Sequence, residues 1–250
     1  MPSVDLNADV GEGTGAGGDD HALLGLVTSA SVACGFHAGD PSTMRRTVEE
    51  AARRGVVVGA HPSYPDRDGF GRRALDIAPA RVAADVLYQV GALDALARAA
   101  GTRVRYVKPH GALYHRMADD EACARAVVEA VRDAGDLVLL APAAPIPLHV
   151  ARTLGVRVVT EAFADRAYLA DARLAPRTTA GAVLTDAGEV ARRAVSIAVA
   201  GRVTAVDGTE VEVAAGSICV HGDMPGAAAL ARGVRRALEA AGVVLAPFVT

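Results

Sequence analysis

Short runs of valine, leucine, isoleucine and alanine alternate along the chain with longer stretches in which apolar residues recur every three or four positions among arginine and glutamate. The first kind has the length and β-branched content of strands; the second has the period of amphipathic helices. The pattern predicts strands over 3–9, 31–35, 56–61, 104–109, 137–141, 156–161 and 217–221. It predicts helices over 41–54, 79–100, 119–134, 146–154, 186–200 and 226–241. Pro41 and Pro79 suit a first helical turn, and Gly55, Gly101 and Gly135 stand where helices should stop.

Alternating strands and helices, with strands apolar almost throughout, imply a parallel sheet covered by helices. About seven such units point to an α/β chain closed, or nearly closed, into a TIM-like β/α barrel. Residues 202–213, with Asp207-Gly208 between two Val/Thr/Glu runs, read as an inserted β-hairpin. No repeat or long linker divides the chain, so residues 1–250 are read as one barrel domain.

Composition narrows the function. The 250 residues are 51% hydrophobic, which excludes disorder. No apolar run approaches the roughly 20 residues of a membrane span, and the first residues lack the pattern of a signal peptide. Cys34, Cys123 and Cys219 are far apart and without CxxC spacing, which fits a reducing, cytoplasmic setting. A net charge of −3 with scattered basic residues excludes a nucleic-acid footprint. The chain has one lysine, Lys108, and one asparagine, Asn7. A lysine kept where every other basic side chain is Arg or His points to a task the guanidinium cannot perform.

The chemistry collects where strands end. Asn7, Asp9 and Glu12 follow the first predicted strand, His37 and Asp40 the second, and His61 with Asp66, Asp68 and Arg72 the third. Lys108 and His110 close the fourth, Glu161, Asp165 and Arg166 the sixth, and His221 and Asp223 the seventh. In a parallel barrel these tips converge on one face, the face on which barrel enzymes build their sites. Blander readings stand beside this one. Asp40 is equally an N-cap before Pro41, Asp66 and Asp68 suit a turn, and Cys34 and Cys219 suit small buried apolar positions. The loose G-x-G-x-x-A of residues 11–16 opens no helix directly and lacks the acidic partner of a dinucleotide site. No G-x-x-x-x-G-K-[ST] loop occurs, so any ATP is handled by other geometry or by a partner protein.

The motifs DLNADVGEG (5–13), ACGFHAGD (33–40), GAHPSYPD with GFGRR (59–66, 69–73), KPHGALY (108–114), EAFADRAY (161–168) and CVHGD (219–223) resemble those of the LamB/YcsF family across essentially the whole chain. The resemblance implies a seven-stranded β/α barrel of the glycoside hydrolase/deacetylase type. It also implies an A subunit that acts with subunits B and C to open the lactam 5-oxoproline to glutamate at the expense of ATP, with Mg. Such chemistry needs a base for water, an acid for the ring nitrogen, cations for phosphate and carboxylate, and a shaped pocket. His61 and His110 are candidate acid and base, and Asp9 or Asp165 orients one of them or acts as the base. Lys108 is the candidate for stabilising charge on the oxygen. Arg72 or Arg166 is the anion clamp, Asn7 a partner for the amide, and Glu12, His37, His221 and Asp223 further binding groups. Two alternatives remain open from the residues. One is a metal-dependent amidohydrolase or carbohydrate deacetylase using Asp9, His37, His61, His110, His221 and Asp223 around a divalent ion. The other is a binding subunit whose partners perform the chemistry.

Overall fold

The computed structural model of the chain describes residues 2–13, 18–223 and 226–250. In chain order the elements are β1 (Ser3–Val10), α1 (Gly18–Leu24), β2 (Ser29–Ala33), α2 (Pro41–Arg54), β3 (Val57–His61), α3 (Pro79–Ala99), β4 (Val104–Val107), α4 (Gly111–Asp119) and α5 (Glu121–Ala134). There follow β5 (Val138–Pro142), α6 (Pro145–Leu154), β6 (Val158–Phe163), α7 (Ala187–Ala200), β7 (Arg202–Thr204), β8 (Glu210–Glu212), β9 (Ser217–Val220), α8 (Ala227–Ala240) and β10 (Val244–Leu245). Seven parallel strands run in the order β1-β2-β3-β4-β5-β6-β9, and β9 pairs with β1 to close the barrel. β10 adds to β1 outside this ring, and β7 with β8 forms the antiparallel hairpin expected near 202–213.

Strand periodicity sorts the side chains into two environments. On β1, Val4, Leu6, Ala8 and Val10 join the apolar layer beneath the helices. Asp5, Asn7 and Asp9 make their contacts inside the barrel, so a polar column runs up this side of its interior. Low in that column, Asp5 accepts hydrogen bonds from Thr28, Ser29 and Ser217, while burial pushes its carboxyl up to about 6. Tyr106, Val138, Leu140, Phe248 and Val249 form a separate apolar cluster in which Tyr106 and Phe248 meet edge to face. Tyr106 occupies room that only glycine leaves, since a Cβ on Gly59 would lie 2.2 Å from the ring.

Helix ends follow the chemistry read from the sequence. Asp40 accepts from Thr43 N at 2.8 Å and caps α2, Pro41 opens its first turn, and Gly55 ends it in the left-handed region at φ 67°. Met44, Thr47, Val48 and Ala51 then fall on the buried stripe of α2. Several elements depart from expectation, among them α1 and β10, for which no element was expected, and β6, which lies two residues later than expected. Residues 111–118, for which no helix was expected, form α4 together with Asp119 by burying Leu113, Tyr114 and Met117 on one face. The helix expected over 119–134 starts only at Glu121, because Asp120 turns out of the helix and caps it by accepting from Cys123 N. The second strand lies two residues earlier than expected, at Ser29–Ala33, which keeps the same side chains inward.

Candidate functional site

The first, third, fourth, sixth and seventh of the strand tips singled out above open into one cavity of about 610 Å³; of the second, Asp40 lies outside it and His37 stands behind its wall. That size suits a small molecule. Asp9, His61, Arg72, Lys108, His110, Phe163, Arg166, Arg177 and His221 line it.

Lys108 stands at the centre. Beyond the last residue of β4 its backbone still donates to Ala60 O on β3, which aims the side chain into the barrel. Its ammonium lies 2.8 Å from Asp9 Oδ1, 2.8 Å from Glu161 Oε1, 3.3 Å from Asn7 Oδ1 and 3.2 Å from Cys219 Sγ. Burial opposes the charge, but Asp9, the Cys219 sulfur and Glu161 outweigh it and hold the lysine pKa well above its ordinary value. Asp9 is buried too, yet the fields of His61 and Lys108 keep its carboxyl well below the usual range. Glu161 is pulled both ways. Burial and the nearby Asp9 charge push it up, Lys108 and Asn7 pull it down, and the balance is upward. Asp9 is therefore the carboxylate that offsets the lysine charge. Asn7 spends its amide on this assembly, donating to Glu161 at 2.9 Å and to Ser217 at 2.7 Å, so it braces the cluster.

Across the cavity, Asp165 is fully buried and accepts twice from His221, from the backbone N–H at 2.9 Å and from ring Nδ1 at 2.9 Å. The imidazole stacks on Phe163 with 18° between planes. Its Nε2 has no partner among the described residues, and His221 lines the cavity. An imidazole oriented by a buried carboxylate with one nitrogen open is suited to moving a proton.

Three further histidines, His37, His61 and His110, gather on one side. His37 stacks on His110 with centroids 3.8 Å apart, and His61 meets both edge-on. Gly71 makes this packing possible: a Cβ there would lie 2.9 Å from both His110 Cδ2 and His37 Cβ. Each ring nitrogen is engaged. His37 bonds Ser63 Oγ and Glu12, His61 bonds the Lys108 carbonyl and His110, and His110 also bonds the Phe70 carbonyl. Burial holds His37 and His110 well below the ordinary imidazole pKa, and burial with the Asp9 charge raises Glu12 well above the carboxylate range.

The arginines divide differently from the sequence reading. Arg72 is paired with Asp223 and lies over Phe70. Arg166 donates to the carbonyls of Ala182 and Ala175 and so holds the segment between them. Arg177, which the motifs did not single out, lines the cavity and has no hydrogen-bond or ion-pair partner among the described residues. Burial lowers its pKa from the ordinary value. Of the six metal ligands considered from sequence, His37, His61 and His110 come together with Glu12, whereas His221 pairs with Asp165 and Asp223 with Arg72. Cys34, with its thiol pushed up to about 12, and Cys219, pushed well above its ordinary value by burial, are thiols rather than thiolates. Asp66 braces its own turn by accepting from Gly69 N and the Arg73 side chain. Residues 14–16 of the loose glycine motif, and Met224, lie outside the described residues.

Comparison with known proteins places these features in context. The model of the LamB/YcsF family matches residues 4–250. The chain is 58% identical to the 5-oxoprolinase A subunit of Nocardia farcinica, with 100% of each chain covered. It resembles the crystal structure of a lactam utilization protein from Thermus thermophilus at a TM-score of 0.92 and 47% identity, covering 98% of this chain and 100% of that one. A polysaccharide deacetylase from Bacillus cereus shares the fold alone, at a TM-score of 0.54 and 13% identity over 99% of this chain and 92% of that one.

Proposed function

The chain belongs to the LamB/YcsF family, and from that premise we infer that it is the A subunit of a 5-oxoprolinase, a hydrolase that opens the cyclic amide of 5-oxoproline to glutamate. The observation that carries this reading is full-length identity above half to relatives bearing that name. The cavity is compatible with it. In our reading the enzyme couples ring opening to ATP hydrolysis, with Mg, and works with B and C subunits.

A five-membered lactam resists water because its amide is resonance-stabilised and its nitrogen leaves poorly. Phosphorylating the amide oxygen at the expense of ATP would give an imidyl phosphate, which water can attack. Lys108, held charged beside Asp9, is the group we assign to stabilising negative charge on the reacting oxygen. His221, oriented by Asp165, is the group we assign to proton transfer with water or the ring nitrogen. Arg177 is our candidate for the substrate carboxylate, since an unpaired guanidinium at a cavity wall offers a bidentate fork. Arg177→Met should raise KM for 5-oxoproline by about tenfold or more with little change in kcat, the pattern of a lost uniform binding contact. An unchanged KM would assign the carboxylate to another group.

The function itself is tested by mixing the purified chain, with and without the B and C subunits, with 5-oxoproline and Mg-ATP, and measuring glutamate and ADP. Glutamate formed only with ATP and partners is the expected result. No glutamate in any combination, with the partners shown to bind, would overturn the reading.

A further inference from the structure

Four lone-pair donors of the described residues, on Glu12, His37, His61 and His110, lie within 4.8 Å of one another in the cavity wall. Their hydrogen bonds fix where the ring protons are. His61 Nδ1 is 2.7 Å from the Lys108 carbonyl and His110 Nε2 is 2.8 Å from the Phe70 carbonyl. A carbonyl only accepts, so both of those nitrogens carry hydrogen. Ser63 donates its own proton to the Tyr64 carbonyl and so accepts from His37 Nδ1. In each neutral ring the remaining nitrogen, His61 Nε2, His110 Nδ1 or His37 Nε2, is then a bare lone pair.

Those three nitrogens face one another and a carboxyl oxygen. His61 Nε2 and His110 Nδ1 are 2.9 Å apart, Glu12 Oε1 is 3.2 Å from His37 Nε2, and it is 3.7 Å from His110 Nδ1. Two bare imidazole nitrogens do not attract at that distance; a proton or a metal ion must lie between them, and Asp9 Oδ2, 3.4 Å from His61 Nε2, adds a negative charge beside that position. Ligands at about 2.0–2.1 Å around a tetrahedral ion stand roughly 3.3 Å from each other; three of the six separations here, 2.9, 3.2 and 3.7 Å, lie around that value and none exceeds 4.8 Å. The outer N–H of all three rings is held by protein acceptors, the arrangement that orients metal-ligating histidines.

We propose that His37, His61, His110 and Glu12 bind one first-row divalent transition metal ion of the zinc class in the wall of this cavity. Three imidazoles and one carboxylate suit Zn²⁺ or Co²⁺ and disfavour Mg²⁺, which takes oxygen ligands. The site differs from the ligand set expected from sequence in taking Glu12 and omitting Asp9, His221 and Asp223. It is argued from donor geometry alone and stands apart from the lactam reading. Because His61 and His110 also line the cavity, an ion there would supply a Lewis acid to an oxygen of a bound substrate; only that role rests on the proposed function.

The purified full-length chain, stripped with a chelator and dialysed, should be titrated with ZnCl₂ and CoCl₂ by calorimetry, with MgCl₂ as control. We expect one Zn²⁺ per chain, bound at least about a hundredfold more tightly than Mg²⁺, and visible absorption bands from bound Co²⁺. His37→Ala and Glu12→Gln should each weaken Zn²⁺ binding by about a hundredfold or more, and Ser63→Ala, which touches no metal, by about 10–100-fold. A folded wild-type chain that takes up no stoichiometric Zn²⁺ or Co²⁺ would overturn the proposal and leave a proton between His61 and His110. Uptake unchanged in Glu12→Gln and Ser63→Ala would overturn it equally, by placing the ion elsewhere. Each outcome is read without substrate, so failure here leaves the 5-oxoprolinase assignment standing.

Discussion

Lys108→Met is expected to lower the free energy of unfolding by about 3–5 kcal/mol and turnover by about a hundredfold or more, because it removes the cation from a buried cluster and leaves Asp9 with His61 alone to offset its charge. Denaturant unfolding and steady-state rates with the partner subunits would measure both. The pH dependence should change with them. In the wild type the Asp9 carboxyl is depressed, so its contribution is present above the unfolded value of about 3.9 and is lost as pH falls toward the folded one. Without Lys108, burial acts on Asp9 with less opposition, and the loss should move toward neutral pH. Lys108→Arg separates charge from shape. It retains a cation but must fit a planar fork among four acceptors spaced for one ammonium. We expect it to fold better than the methionine variant while losing turnover about a hundredfold; wild-type turnover in Lys108→Arg would remove the lysine from the mechanism.

The second large effect concerns the pair on the opposite wall. His221→Gln should reduce kcat by about 10²–10⁴-fold with KM nearly unchanged, the signature of a group acting in the transition state. Asp165→Asn should come close to it. Both oxygens of Asp165 accept from His221, and an amide must turn its NH₂ toward one of those donors, which releases the ring or favours the other tautomer. If both variants keep wild-type kcat, proton transfer belongs to other groups. If only Asp165→Asn is active, the carboxylate is structural.

The strand–helix rhythm and the ring of polar residues at strand tips were legible because each leaves a local mark, such as Asp40-Pro41 at a helix start or Lys108 as the chain's one lysine. What escaped depends on contacts made in space. Helix α4 begins at Gly111 within a motif for which no helix was expected, and its buried face exists only because α5 and α6 pack against it. β10 is a two-residue strand that forms by adding to β1. Within the site, His61 and His110 look like free acid–base groups in sequence, but in the fold one nitrogen of each ring is held by a backbone carbonyl and the other faces the neighbouring ring. His221, read as a binding group, keeps one nitrogen open. Arg177 has no motif around it, and its significance lies in lacking a partner, a property invisible without coordinates. Glu161 and Cys219 stood in quoted motifs, but their contact with the Lys108 ammonium depends on barrel closure.

That closure has a consequence for how the chain is made. β1 emerges from the ribosome before the other strands of the barrel, yet one of its edges waits for β9, with Asp5 pairing Ser217. At about 5–20 residues per second the wait is on the order of ten to forty seconds. A strand with a bare edge invites association with other nascent chains during that time. Asp5, Asn7 and Asp9 alternate along it, and while the barrel is open they put acidic and amide groups on the face that would otherwise stack. The residues that later brace and charge the cavity thus also guard the unfinished chain, so Asp9→Leu is expected to cost yield during synthesis even where the finished fold could accommodate it.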